Sequence, residues 1–228
     1  QFDRDYYKIP TATDGIHRIS TEALQASGVN LNTTDSRFFR LYHRGEEVAI
    51  HISGGEDGSL DSGDYIDFYG RRNDGTLDHL LYADFDTLPN PYFNTHTDTT
   101  VFFLTITPGV SGKRMALRSA PVTSNPQVSS YHTEQLQVYG DQYSLGRGYT
   151  FDFRLSSFDQ GQGWMSTLIR KSEKRTLIFE SLGQPANGGV GFLDIGLVGR
   201  SSHLHRSIIS VGPSETNQRV IHSENFAG

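Results

Sequence analysis

The 228-residue sequence contains no cysteine. Disulfide cross-links, thiolate metal sites and a cysteine nucleophile are excluded together. Positive charge is scarce as well: 20 Lys and Arg stand against 26 Asp and Glu, for a net charge of −6. The basic residues are scattered rather than massed, so neither a nucleic acid nor an anionic membrane surface is an expected partner. No apolar run approaches the ~20 residues of a membrane-spanning helix, and membrane insertion is not expected. The spacings that carry familiar chemistry are missing too. There is no Gly-x-x-x-x-Gly-Lys-Ser/Thr phosphate loop, no dinucleotide fingerprint and no Gly-x-Ser-x-Gly elbow.

What is present favours β structure. The chain carries 14 Phe, 11 Tyr and 24 Gly, and flat rings pack well on a pleated surface while glycines serve tight turns. Alternating segments at 6–10 and 15–19 flank Thr13-Asp14-Gly15, a hairpin signal. Ser20 is placed to cap a short helix over 21–27, with Leu24 as its apolar residue and Gly28 ending it. Strands are expected at 38–42 and 48–52, joined by His43-Arg44-Gly45-Glu46. Further strands are expected at 65–69 and 100–107, with 115–120 placed to pair with the latter. Residues 70–99 carry turn chemistry throughout and read as a long excursion. Residues 121–130 have no periodicity and read as a linker. Beyond them, strands are expected at 131–139, 149–155, 175–180, 191–198, 205–211 and 218–223.

The expected fold class is therefore all-β: two consecutive β domains, sandwich- or jelly-roll-like, with one short helix near 21–27. The first spans 1–120, the linker 121–130 and the second 131–228. So few strands leave the second sandwich with an open edge, so it is expected to be incomplete at its C-terminal end. A start at Gln1 is what signal cleavage of a secreted protein would leave.

Candidate sites are few. The turn-rich acidic stretch with Asp57, Asp61 and Asp64 offers oxygen ligands for Ca²⁺. It lacks the alternating acids and terminal Glu of an EF-hand, and Asp-Gly and Ser-Gly are also plain turn pairs. His203 and His205 would share one face of a strand, a metal pair that needs a third ligand from elsewhere. Trp164, the lone tryptophan, and the pair Tyr92 and Phe93 in the excursion are ligand or interface candidates. An exposed indole stacks on sugars, whereas a buried one anchors a core or a seam.

Several blocks in order resemble one family. They begin with Tyr6-Tyr7-Lys8-Ile9, Asp14-Gly15-Ile16-His17-Arg18-Ile19 and Phe39-Arg40-Leu41-Tyr42-His43-Arg44-Gly45-Glu46-Glu47-Val48. Asp57-Gly58, Gly63-Asp64-Tyr65-Ile66-Asp67-Phe68-Tyr69-Gly70 and Asn73-Asp74-Gly75 follow. Leu77-Asp78, Tyr92-Phe93, Thr97-Asp98-Thr99, Phe102-Phe103-Leu104-Thr105, Gly112-Lys113-Arg114-Met115, Gly161-Gln162-Gly163-Trp164 and Asp194-Ile195-Gly196-Leu197-Val198-Gly199-Arg200-Ser201 complete the set. The ensemble resembles the N-terminal β-domain region of gingipain-type, caspase-like cysteine peptidase-like proteins of Bacteroidetes linked to type IX secretion. The resemblance implies a secreted or outer-surface location in a Gram-negative bacterium. It also implies a non-catalytic scaffold or interaction role, with a downstream peptidase-like domain or an outer-membrane secretion-system protein as partner. With no cysteine in the chain, no catalytic residue of that family carries over, and enzymatic activity is not expected of this chain. A carbohydrate- or protein-binding module and an inhibitory or chaperoning pro-domain stand as alternatives.

Overall fold

The structure, a computed structural model, describes residues 4–84, 87–118, 132–146, 158, 161–180, 190–201 and 203–227. The fold is all-β with antiparallel sheets. The chain divides into two compact units, Gln1–Asn73 with His96–Val122 and Asp74–Thr95 with Thr123–Gly228. Residues 74–95, which the sequence reading places inside the first domain, thus cluster with the second unit.

In the first unit the strands are β1 (Tyr7–Thr11), β2 (Gly15–Ser20), β3 (Phe39–His43), β4 (Glu46–Val48), β5 (Ile50–Ser53), β6 (Tyr65–Gly70) and β7 (Thr100–Ile106). They form a four-stranded sheet in the order β1-β7-β3-β4 and a three-stranded sheet in the order β2-β6-β5. Strand alternation sends Phe39, Leu41, Phe102 and Leu104 of the first sheet, and Ile50, Ile66 and Phe68 of the second, into one shared core. Each is at most 2% exposed, and burying a side chain of this size stabilises by roughly 1.5–3 kcal/mol. The single α-helix among the described residues, α1 (Thr21–Ala26), starts where the Ser20 hydroxyl accepts from the Ala23 N–H at 3.3 Å. It buries Leu24 against the core, and Gly28 follows with φ +89°.

Three local expectations change partner. The Thr13-Asp14-Gly15 turn does not close a hairpin: β1 pairs with β7 and β2 with β6. The turn crosses between sheets so that Ile9 and Ile19 reach the core from opposite sides. The expected strand at 48–52 divides at Ala49, with β4 pairing to β3 and β5 to β6. The segment after β7 runs beside β5 rather than β7. Ile50 N–H donates to the Lys113 carbonyl at 3.2 Å, and Met115 N–H to the Ile50 carbonyl at 2.9 Å.

The described part of the second unit contains β8 (Gln142–Leu145) paired with β9 (Gln162–Met165), and β10 (Leu204–Ser214) paired with β11 (Asn217–Ala227). The expected strands at 205–211 and 218–223 fall inside β10 and β11. Those at 175–180 and 191–198, and the described part of 131–139, carry no ladder. Instead the Gln135 and Gln137 side-chain amides donate to the carbonyls of Glu180 and Ile178, so side chains hold positions where a backbone ladder was expected. The strand expected at 149–155 and the linker at 121–130 lie outside the described residues.

Candidate functional site

The excursion enters the second unit through a 3₁₀ turn, Gly75–Leu81, capped by Asp74, whose carboxylate accepts from the Thr76 N–H at 3.0 Å. Gly75 lies where a Cβ would stand 2.8 Å from the carbonyls of both Phe93 and Pro91, so only glycine permits this passage of backbone over backbone. Asp78 is 4% exposed. It accepts from the Asn94 side-chain amide at 2.6 Å and from the Thr95 N–H at 2.7 Å, closing the loop on itself.

At the centre stands Asn90, 8% exposed. Its side-chain NH₂ donates to the Tyr139 carbonyl at 2.9 Å and to the Trp164 carbonyl at 3.1 Å, while its Oδ1 accepts from the Tyr92 N–H at 3.0 Å. One amide therefore ties together the loop that carries Tyr92 and Phe93, the segment at Tyr139, and strand β9 with Trp164. The three aromatic residues singled out from sequence are brought into one neighbourhood by a residue that was not.

The rings have defined supports. Trp164 meets Tyr143, its partner across the β8–β9 ladder, edge to face at 5.4 Å and 80°. Gln162 donates to the Tyr143 hydroxyl at 3.2 Å. The Phe93 ring lies over Gly140, whose missing Cβ would stand 3.1 Å from it. Tyr82 is 2% exposed and donates its hydroxyl to the Gln162 carbonyl. Burial, then the neighbouring Tyr143 and Asp78, push that hydroxyl well above the ordinary tyrosine value, so it stays a donor. Arg175 stacks on Tyr139 at 5.1 Å, beside Asp141. Tyr92 remains 43% exposed, and Phe93 and Trp164 are half-buried. The arrangement sets aromatic rings and polar groups on a hydrogen-bonded support.

The other candidates are not gathered. Asp57 accepts from the Ser59 N–H at 2.9 Å, and Asp64 accepts from the Asp61 N–H at 2.8 Å. Both carboxylates close turns on their own segment. Among the described residues, no three His, Asp or Glu side chains converge as a metal site, so Asp57, Asp61 and Asp64 form no calcium cage there. His205 lies on β10 stacked against Phe226 at 5.3 Å, with Nε2 3.2 Å from the Ser201 hydroxyl; His203 precedes the strand and is exposed. A cleft of about 450 Å³ lies between β10, β11 and the segment of Leu193, Ile195 and Leu197, with His222 and Glu224 among its lining residues.

Asn90 and Asp78 do not stand out in sequence as site residues because both lie in the 70–99 excursion, where Pro89-Asn90-Pro91 looks like turn chemistry. The available signal was that the asparagine sits between two prolines, neither of which supplies an N–H. No protein-family model, curated protein or solved structure matches the chain.

Proposed function

We propose that the chain is a non-catalytic interaction region, the front part of a secreted or surface-exposed gingipain-like protein of the type IX secretion pathway. Its two β units would scaffold or orient a downstream peptidase-like domain or engage an outer-membrane secretion-system protein. The observation that carries this reading is the Asn90 junction, whose one side-chain amide ties the backbone of the loop bearing Tyr92 and Phe93 to that of the strand bearing Trp164. The ordered residue blocks support the family assignment. Residues of those blocks lie in the core strands Phe39–His43, Tyr65–Gly70 and Thr100–Ile106 of the first unit.

A second reading, carbohydrate binding, is favoured by the same junction, because Tyr92, Phe93 and Trp164 are ring faces of the kind that stack on sugars. One experiment separates the readings. Trp164, the lone tryptophan, reports directly on the junction, so its emission is titrated with a peptidase-like domain of the family and with a panel of surface glycans. A response to protein supports the scaffold, and a response to glycan supports the carbohydrate module. Flat emission with both, or peptidase or glycosidase turnover by the purified chain, removes the interaction reading.

A further inference from the structure

The chain leaves the first unit after Asn73 and returns at His96, and a small polar network closes that neck. The Asn73 N–H donates to the Asp98 carbonyl at 2.7 Å, and its side-chain amide donates to the Thr97 carbonyl at 2.9 Å. The Asn73 side-chain oxygen accepts from the Arg44 guanidinium at 2.9 Å. Arg44 is delivered by the two-residue turn between β3 and β4, where it adopts φ +51° and Gly45 φ +86°. Two successive left-handed residues are the signature of the tight hairpin turn, and a non-glycine there is held at a strained conformation.

One residue back, His43 shares a hydrogen bond between Nε2 and the Thr100 hydroxyl at 2.8 Å. Its ring lies nearly flat on Phe102, with centroids 4.3 Å apart and planes 16° apart. Phe102 meets Phe68 at 4.9 Å, and Phe68 stacks on His17 at 5.4 Å. Four rings thus run from one sheet to the other, and His43 joins this stack to the residue that grips the neck.

We propose that His43 is an acid-sensitive latch on the neck: its protonation sets a second positive charge beside Arg44 and repels Arg44 from Asn73, loosening the hydrogen bonds that bring residues 73 and 97–98 together. The charges around it set the direction. Arg44, next along the chain, opposes a positive imidazole, while Thr100 and Phe102, its neighbours on β7, bring no charge. Glu46 is the residue opposite His43 in the β3–β4 ladder. Burial first and Arg44 second push the imidazole below its ordinary value, so the neutral form is resident at neutral pH. The contribution of the latch is complete above the ordinary histidine value of about 6.5 and is lost as pH falls through the lower folded value.

Hydrogen exchange of the full chain, read on peptides containing Asn73 and residues 97–100 and normalised for intrinsic rates, tests this. The protein should lose about tenfold in protection at the neck as pH falls below ~6.5 and His43 takes up its proton. His43→Phe keeps a ring on Phe102 but takes no proton, and its neck should stay protected over the same range. Arg44→Gln, which keeps an amide donor for Asn73 without the charge, serves if that variant does not fold, and it too should hold. A wild-type neck that is unchanged while His43 titrates by NMR overturns the proposal. So does an equal acid response in both variants.

Discussion

Replacing Asn90 isolates the contribution of one buried amide to the second unit. Its side chain makes three hydrogen bonds, of 2.9, 3.1 and 3.0 Å, to the backbone at Tyr139, Trp164 and Tyr92. At about 0.5–1.5 kcal/mol net for each neutral bond, Asn90→Ala should cost about 2–4 kcal/mol. Asn90→Asp preserves size and shape but turns both donors into an acceptor oxygen that faces the Tyr139 and Trp164 carbonyls. At neutral pH it should destabilise more than alanine does, because a buried carboxylate beside two carbonyl oxygens is both unpaired and repelled. The gap between the two variants should narrow in acid as the introduced carboxyl takes up a proton. Urea titration followed by Trp164 emission reads the junction directly, since the chain has no other tryptophan. A loss below about 0.5 kcal/mol for Asn90→Ala, or an aspartate variant no less stable than the alanine one, would refute the argument that the amide's donors hold the junction.

Three further outcomes follow from the first unit. Phe102→Ala removes a 2% exposed ring that touches both His43 and Phe68; calorimetry should show a loss of about 3–5 kcal/mol, with little loss refuting its place at the centre of the core. Asp35, paired to Arg37 and bonded by its N–H, has its carboxyl held down at about 2. A depressed acid contributes above its ordinary value and loses that contribution as pH falls through the folded one. NMR should therefore find Asp35 still ionised near pH 3, and Arg37→Gln should return it toward ~3.9. Adding a chelator should leave the melting temperature in place, because Asp57 and Asp64 each close a turn and no metal cluster forms among the described residues. A chelator-induced fall would restore the calcium reading.

The parts of the fold that were legible in sequence are those decided within a few residues. Ser20, Leu24 and Gly28 mark the start, inner face and end of α1 because a cap, an apolar contact and a left-handed glycine act locally. Alternation marks β6 and β7 because a half-buried strand imposes a period of two on its own residues. Pairing is a different kind of information. Thr13-Asp14-Gly15 is competent to close a hairpin, yet β1 and β2 take β7 and β6 as partners, since only that arrangement puts Ile9 and Ile19 on the two sides of one core.

The candidate site follows the same division. Tyr92, Phe93 and Trp164 were visible as residue types with large faces, but nothing local reports that residues 92 and 164 belong together. Their juxtaposition depends on a polar side chain 8% exposed, and burial of an amide is stable only when its donors and acceptor are all answered. Asn90 is answered by three backbone groups drawn from segments separated by 49 and 74 residues as well as from its own loop. A polar residue with such a set of partners specifies one arrangement of the segments over any other of similar apolar burial, since each alternative leaves at least one of its groups unpaired. The surface on which the proposed function rests is therefore defined less by its exposed rings than by the buried amide behind them. Variants of Asn90 should accordingly abolish binding at that surface without touching a single contacting ring.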